Sequence, residues 1–271
     1  MNEVSLNIDS SLLFKYPDAA NLYSKLAQHH NISPEYINIG YGAGDIVYRL
    51  MSYFRGYSIA IYTPTYELAH IFANNMGLTV TQSDNLAELS ADILYIANPN
   101  GVTGKALSRT EIINLSNKFK YTIVDEAYGD FCTIDYSVLT DSLISNIIVI
   151  KTLSKSIASP GLRFGYCISN KEFISDFQNH RSSTVVTGFT ESIVTDLLPR
   201  ISSHVTRMVE TRKYIENKYE TVPSQGNYVL FKNNPNFNCY VKKTQLGHYR
   251  MALTDIDTFK LLENDSHSKQ D

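Results

Sequence analysis

Short, unbroken apolar runs alternate along this chain with stretches of helical spacing, and that alternation limits the fold more than any other feature. Ser58 to Tyr62 (SIAIY), Asp92 to Ala97 (DILYIA), Tyr121 to Val124 (YTIV), Asn146 to Ile150 (NIIVI) and Phe164 to Ile168 (FGYCI) read as strands. Between them, Ala43 to Arg55 places Ile46, Val47, Leu50, Met51 and Phe54 at helical spacing. Thr65 to Met76 reads as a helix closed by Gly77, and Ser108 with Glu111 forms a capping box that opens a helix through Phe119. Helices also fit Lys171 to His180, Gly188 to Leu198 and Ile201 to Tyr219, followed by a late strand at Asn227 to Phe231. Strands that are apolar along their whole length are buried on both faces, so the pattern predicts an α/β fold: a mostly parallel sheet sandwiched by helices. The long helix from Ile201 and the strand after it predict a small, trimmed C-terminal α+β subdomain. The expected division is 1–200 for the large domain, 201–262 for the small one and 263–271 for a polar tail (ENDSHSKQD) that frays.

The 271 residues suit one large domain with a small companion. A formal net charge of -3 gives no basic excess for nucleic acid or an anionic membrane surface. No stretch approaches the roughly 18 consecutive apolar residues of a membrane span. Met1 to Ser11 lacks a basic region followed by an apolar run, so no signal peptide is expected. Cys132, Cys167 and Cys239 are widely spaced and form neither a disulfide framework nor a zinc pattern, which points to a reducing, cytoplasmic setting. No histidine pair has metal-ligand spacing on a strong helix, so no metal is expected.

Ligands on parallel α/β sheets sit beyond the carboxyl ends of the strands. Three segments lie there. Thr152 to Tyr166 (TLSKSIASPGLRFGY) gathers hydroxyls, Lys155 and Arg163 directly after an apolar strand. Such a lysine can bind phosphate or form a Schiff base, and such an arginine can clamp a phosphate, although most lysines and arginines are solvated surface residues. Val124 to Phe131 (VDEAYGDF) puts Asp125 at a strand end with Tyr128 three residues on, and an acid there is equally at home as a helix cap. Asn98 to Gly104 (NPNGVTG) is, by composition, a tight turn.

In this order the three segments resemble the pyridoxal-phosphate-dependent aminotransferases of fold type I, most closely the histidinol-phosphate aminotransferase-like branch. The resemblance runs from about Tyr16 to Leu262. It is supported by YPD at Tyr16 to Asp18, GYGAGD at Gly40 to Asp45, PTY at Pro64 to Tyr66, SQGNYVLF at Ser224 to Phe231 and YRMAL at Tyr249 to Leu253. The resemblance implies pyridoxal 5'-phosphate as cofactor and small amino acid and keto acid substrates. It implies that Lys155 forms the Schiff base and moves the proton at the substrate Cα. It implies that Asp125 pairs with the pyridine nitrogen, that Tyr128 donates to the ring phenolate oxygen and that Tyr66 stacks on the ring. Ala43 and Gly44, at a helix N-terminus, would hold the cofactor phosphate with Thr152, Ser154 and Arg163. Tyr16 would reach that phosphate from a neighbouring subunit, which implies a homodimer with shared active sites. Arg250 would grip the substrate α-carboxylate and Asn227 would line the substrate side.

Three departures from the family stand out. Gly101 occupies the place of an asparagine that contacts the ring oxygen, with Asn100 one residue earlier as a candidate replacement. Only Met1 to Lys15 precede the YPD. Between Phe231 and Arg250 there is too little chain for a strand-helix-strand passage, so a helix is expected to be missing. These trims put histidinol phosphate itself in doubt as substrate. An aminotransferase remains the leading reading. A decarboxylase acting at Cα of a (phosphorylated) amino acid and a non-catalytic cofactor-binding module stand as alternatives.

Overall fold

The computed structural model describes residues 9–180, 186–237 and 239–267. After α1 (Ala20–His30), the chain lays down β1 (Ile37–Gly40), α2 (Ala43–Tyr53), β2 (Ser58–Tyr62), α3 (Glu67–Asn75), β3 (Thr79–Ser83), β4 (Ile93–Ala97) and α4 (Arg109–Ser116). It continues through β5 (Tyr121–Asp125), the single turn α5 (Leu139–Ser142), β6 (Ile147–Thr152), the single turn α6 (Leu153–Ser156), β7 (Gly165–Ile168), α7 (Lys171–Phe177) and α8 (Gly188–Leu197). Seven strands form one sheet in the order β1-β7-β6-β5-β4-β2-β3. Strands β3, β2, β4, β5 and β6 run parallel, and β7 runs antiparallel to both β6 and β1.

Period-two side-chain alternation explains why both faces are apolar. Ile59, Ile61, Tyr95, Ile123, Ile148 and Ile150 pack with α2, α3 and α7 on one face. Ala60, Leu94, Ile96, Val124, Ile147 and Val149 pack with Ile112 of α4 on the other. The expected capping box is formed: Ser108 Oγ accepts from the Glu111 amide, and the Glu111 carboxylate accepts from the Ser108 amide. The sequence reading omitted β1, β3 and α1. β3 (TVTQS) lies at the sheet edge with no buried residue, so it carries no apolar alternation to detect.

Beyond α9 (Ile201–Lys218), the strands β8 (Thr221–Val222), β9 (Tyr228–Phe231), β10 (Lys242–Lys243) and β11 (Tyr249–Ala252) form a second, antiparallel sheet in the order β10-β11-β9-β8. β9 pairs directly with β11, placing Leu230 opposite Arg250. Among the described residues no helix lies between these two strands, as the short connection implied. Ile215, Val229, Phe231, Met251 and Phe259 form the core of this part.

The expectation of a fraying tail from Glu263 is corrected. The helix α10 (Ile256–His267) runs through it, and residues 268–271 of that segment lie outside the described residues. Glu263 is buried, accepting from Lys218 Nζ at 2.6 Å and from the Tyr219 hydroxyl at 2.5 Å. Its partners come from the end of α9, so composition alone could not reveal that this acid is held. Glu263→Ala leaves the Tyr219 hydroxyl without this acceptor. It is expected to lower unfolding stability by about 1–3 kcal/mol, read from urea denaturation.

Candidate active site

Because β4, β5 and β6 are parallel neighbours, the segments that follow them leave the sheet side by side. Asp125 is the last residue of β5 and is buried. Its Oδ2 accepts from the Tyr95 hydroxyl at 2.8 Å and its Oδ1 from the Ala127 amide at 3.0 Å. Burial pushes the Asp125 carboxyl above the usual range, while Tyr95, Ala127 and the charge of Lys155 pull against that shift. Lys155 sits on α6, whose start is capped by Thr152 Oγ1 accepting from the Ser154 amide. Its Nζ lies 5.5 Å from the centre of the Tyr128 ring, and among the described residues no carboxylate forms an ion pair with it.

An anion cradle flanks these groups. α2 begins at Ala43 after Gly42, whose φ of 89° favours glycine, and no side chain caps it. Asp45 in the first turn is engaged elsewhere, accepting from the Tyr41 amide and from Arg49 Nε, both at 3.1 Å. The amides of Ala43 and Gly44 therefore have no competing side-chain carboxylate. Arg163 closes in on Gly42: a Cβ there would lie 2.8 Å from Arg163 Nη2. Arg163 also has no ion-pair partner among the described residues. Gly165 admits the start of α2, since a Cβ there would collide with Ala43 N and the Gly42 carbonyl carbon. Thr152 Oγ1 and Ser154 Oγ lie 3.0 Å apart beside this cradle. Tyr66, just before α3, has its hydroxyl 3.3 Å from where a Gly44 Cβ would stand, and it feels the charges of Asp125, Arg163 and Tyr128.

A carboxylate floor, an aromatic ring, an uncapped helix N-terminus, and a lysine and an arginine with no ion-pair partner among the described residues thus surround one slot. That donor set fits a flat cofactor bearing a ring nitrogen, an aldehyde and a phosphate, as the sequence resemblance implied.

The substrate side differs from the expectation in detail. Asn100 braces its turn and ties it to the segment before α3: Oδ1 accepts from the amides of Val102 and Thr103 at 2.9 and 3.0 Å, and Nδ2 donates to the Pro64 carbonyl at 2.7 Å. The Tyr128 hydroxyl accepts from Arg250 Nη2 at 3.0 Å, and Arg250 Nη1 donates to the Gly101 carbonyl at 3.1 Å. The Arg250 guanidinium stacks on Tyr228, 3.9 Å from the ring centre, and has no carboxylate partner among the described residues. Asn227 is half-buried, and its carbonyl accepts from the Leu253 amide where β9 and β11 open. Tyr16 is 92% exposed, so its ring stands in solvent on this chain rather than packed into the slot.

Sequence reading missed a buried charge cluster directly behind the slot. Lys151, four residues before Lys155, pairs with Glu126 and Asp130, each at 3.3 Å. Ser137 Oγ and the Val138 amide also donate to Glu126. Although burial opposes it, Asp130, Tyr136 and Glu126 hold the Lys151 ammonium well above its ordinary range. The available signal was a lysine ending an apolar strand opposite a DEAYGD run. Next to this cluster, His30 Nε2 lies 2.8 Å from the Tyr166 hydroxyl.

Three comparisons bear on this arrangement. The family model for aminotransferase class I and II matches residues 7–246. The histidinol-phosphate aminotransferase of Pyrococcus furiosus is 24% identical over 237 residues, covering 80% of this chain and 70% of that protein. Two solved structures share the fold. The histidinol-phosphate aminotransferase of Sinorhizobium meliloti, in complex with pyridoxal-5'-phosphate, has a TM-score of 0.81 at 18% identity, over 96% of this chain and 87% of that one. The L-threonine-O-3-phosphate decarboxylase of Porphyromonas gingivalis has a TM-score of 0.78 at 19% identity, over 94% and 93%.

Burial and the Lys151 charge push the His30 imidazole from its ordinary 6.5 down to about 3. Between those values the unfolded chain binds a proton there and the folded chain does not, so stability falls as pH drops below 6.5. The expected outcome is that His30→Gln flattens the dependence of unfolding free energy on pH between 6 and 4 by up to about 1.4 kcal/mol per pH unit, measured by urea titration.

Proposed function

This chain belongs to the aminotransferase class I and II family, and from that premise we propose how its residues divide the work of a pyridoxal-phosphate-dependent aminotransferase. The observation that carries the reading is the juxtaposition of Asp125, Lys155 and the uncapped start of α2 with Arg163 around one slot at the ends of β5 and β6. The enzyme moves an amino group between an amino acid or amino-acid-like amine and a keto acid.

When bound, the cofactor supplies an aldehyde that takes up amines and a ring that draws electrons from the substrate Cα. Asp125 accepts an N–H from the ring nitrogen. It is held by Tyr95 and Ala127, so it keeps its place without reorganising. Ala43, Gly44, Thr152, Ser154 and Arg163 bind the phosphate, and Tyr66 packs on the ring face. Lys155 would hold the cofactor's aldehyde carbon, and it would take and return the proton at the substrate Cα. Tyr128 has a second capacity. A phenol oxygen that accepts from Arg250 still has its own proton to give, and the cationic donor behind it makes that O–H the stronger donor toward the ring oxygen. Arg250, stacked on Tyr228 with no carboxylate partner among the described residues, receives the substrate α-carboxylate, with Asn227 beside it.

A decarboxylase on the same fold would differ in which Cα bond stands perpendicular to the ring. The structural likeness to such an enzyme speaks for the fold alone, and the family assignment favours transamination. Homodimer formation is part of the proposal, supported by Leu13, Phe14 and Tyr16 at 65%, 85% and 92% exposure in one short segment. No helix of the described residues is long and apolar enough to cross a membrane. The three cysteines are free, which suits a reducing cytoplasm.

Reconstitution with pyridoxal phosphate is expected to give a visible absorbance band that Lys155→Ala lacks. A wild-type protein without that band would end the proposal. Screening the twenty amino acids and several phosphorylated amines should convert the band to the amine form with at least one of them. Carbon dioxide release without that conversion would favour the decarboxylase. Arg250→Ala is expected to raise KM for the responding amino acid by about 10–100-fold.

A further inference from the structure

We propose that Gly101 is a positioning residue for substrate recognition: its missing side chain makes the space in which Tyr128 stands and holds Arg250. The inference rests on the reading that Arg250 receives the substrate carboxylate.

Nothing in the backbone demands glycine at this position. The glycines with positive φ are Gly42, Gly56, Gly77, Gly104 and Gly247, and Gly101 is not among them. What demands it is a neighbour. A Cβ on Gly101 would lie 2.6 Å from Cε2 of Tyr128 and 3.4 Å from its Cδ2 and Cζ. A carbon at 2.6 Å is inside van der Waals contact, and it would meet the side of a ring rather than the end of a flexible chain. The ring has little room to retreat: it stands edge-to-face with Tyr228 at 5.6 Å, and Lys155 Nζ lies 5.5 Å from its centre.

The consequences converge on one side chain. Arg250 donates two hydrogen bonds, one to the Gly101 carbonyl and one to the Tyr128 hydroxyl. Both acceptors are uncharged, so the fork is oriented without its charge being cancelled. The guanidinium plane is fixed by Tyr228, whose own hydroxyl donates to the Asn100 carbonyl at 2.9 Å. Asn100, Gly101, Tyr128 and Tyr228 therefore form one support, and it carries Arg250 from the small sheet across to the strand ends of the large one. Any side chain at 101 displaces the Tyr128 ring, removes one of the two hydrogen bonds and loosens the arginine.

The test uses holoenzyme and a pair of probes that differ by one carboxylate. α-Aminoisobutyrate has no Cα hydrogen to transfer, and isopropylamine is the same amine without the carboxylate. Binding of each is read as the initial shift of the cofactor's visible band, recorded before any conversion of isopropylamine, which does carry a Cα hydrogen, to its ketone. The wild type is expected to bind α-aminoisobutyrate at least about tenfold more tightly than isopropylamine. Gly101→Ala should remove most of that preference, read as the ratio of the two affinities so that any change at the cofactor through Tyr128, common to both amines, cancels. In a Tyr128→Ala background, where the ring is gone, Gly101→Ala should have no further effect. That pair also decides the matter if Gly101→Ala alone does not fold. A wild type without preference, or a preference that survives Arg250→Ala, overturns the reading of Arg250 and this inference with it. A preference that Arg250→Ala abolishes but Gly101→Ala retains overturns the role of Gly101 alone. So does a Gly101→Ala effect that persists undiminished without the Tyr128 ring.

Discussion

The site depends on the register of β5 between β4 and β6. Asp125 ends β5 opposite Ala97 of β4 and Ile150 of β6, on the face that carries Ile123 and Tyr95. A slip of one residue would turn it to the other face, away from the Tyr95 hydroxyl that holds it. The apolar residues on both sides of the sheet forbid that slip, because every one of them would change faces as well. The hydrophobic pattern thus places a carboxylate to within a hydrogen bond of its partner.

The same alternation separates two neighbouring acids. Asp125 is held by Tyr95 and Ala127, while Glu126, the next residue, is held by Lys151, Ser137 and the Val138 amide. Burial raises both carboxyls, but only Glu126 has an ammonium in contact. Lys151 and Lys155 are divided in the same way. Lys151 is tied to two acids, and Lys155, one helical turn later, pairs with none among the described residues. Lys151 is thereby fixed as part of the scaffold, and Lys155 is the lysine left to face the slot. Charge in this region is therefore sorted by position along consecutive residues, with one set fixing the scaffold and the other facing the slot.

The small antiparallel sheet adds what the large one lacks. Leu230 and Arg250 pair across β9 and β11, and that pairing lets a residue near the end of the chain reach the turn after β4. The shortened connection between those strands leaves this reach intact. The trimmed part of the chain therefore still delivers its arginine, and Gly101 and Tyr128 together receive it.

Strands β2, β4, β5, β6 and β7 were legible because burial on two faces writes itself as apolar runs, and α3 and α4 between them because of their helical spacing and caps. Asp125 and Lys155 stood out because they end or closely follow such runs, and Arg163 because it sits in the same strand-end segment, Thr152 to Tyr166. Short or polar elements were not: β1 has four residues, and β3 lies at an edge where nothing selects for apolar side chains. Glu263 and the Lys151 cluster were invisible because their partners are distant in sequence, and a charge reads as solvated until its counterion is known. Sequence by itself determined the sheet, its order of motifs and the residue types at the strand ends, since these follow from local periodicity and strand polarity. Only the tertiary structure decided that Asn100 ties its turn to Pro64, that Tyr128 leans on Gly101 and that Arg250 is held by uncharged acceptors. Those contacts join segments up to 149 residues apart, and steric exclusion between such segments exists only once the chain is folded.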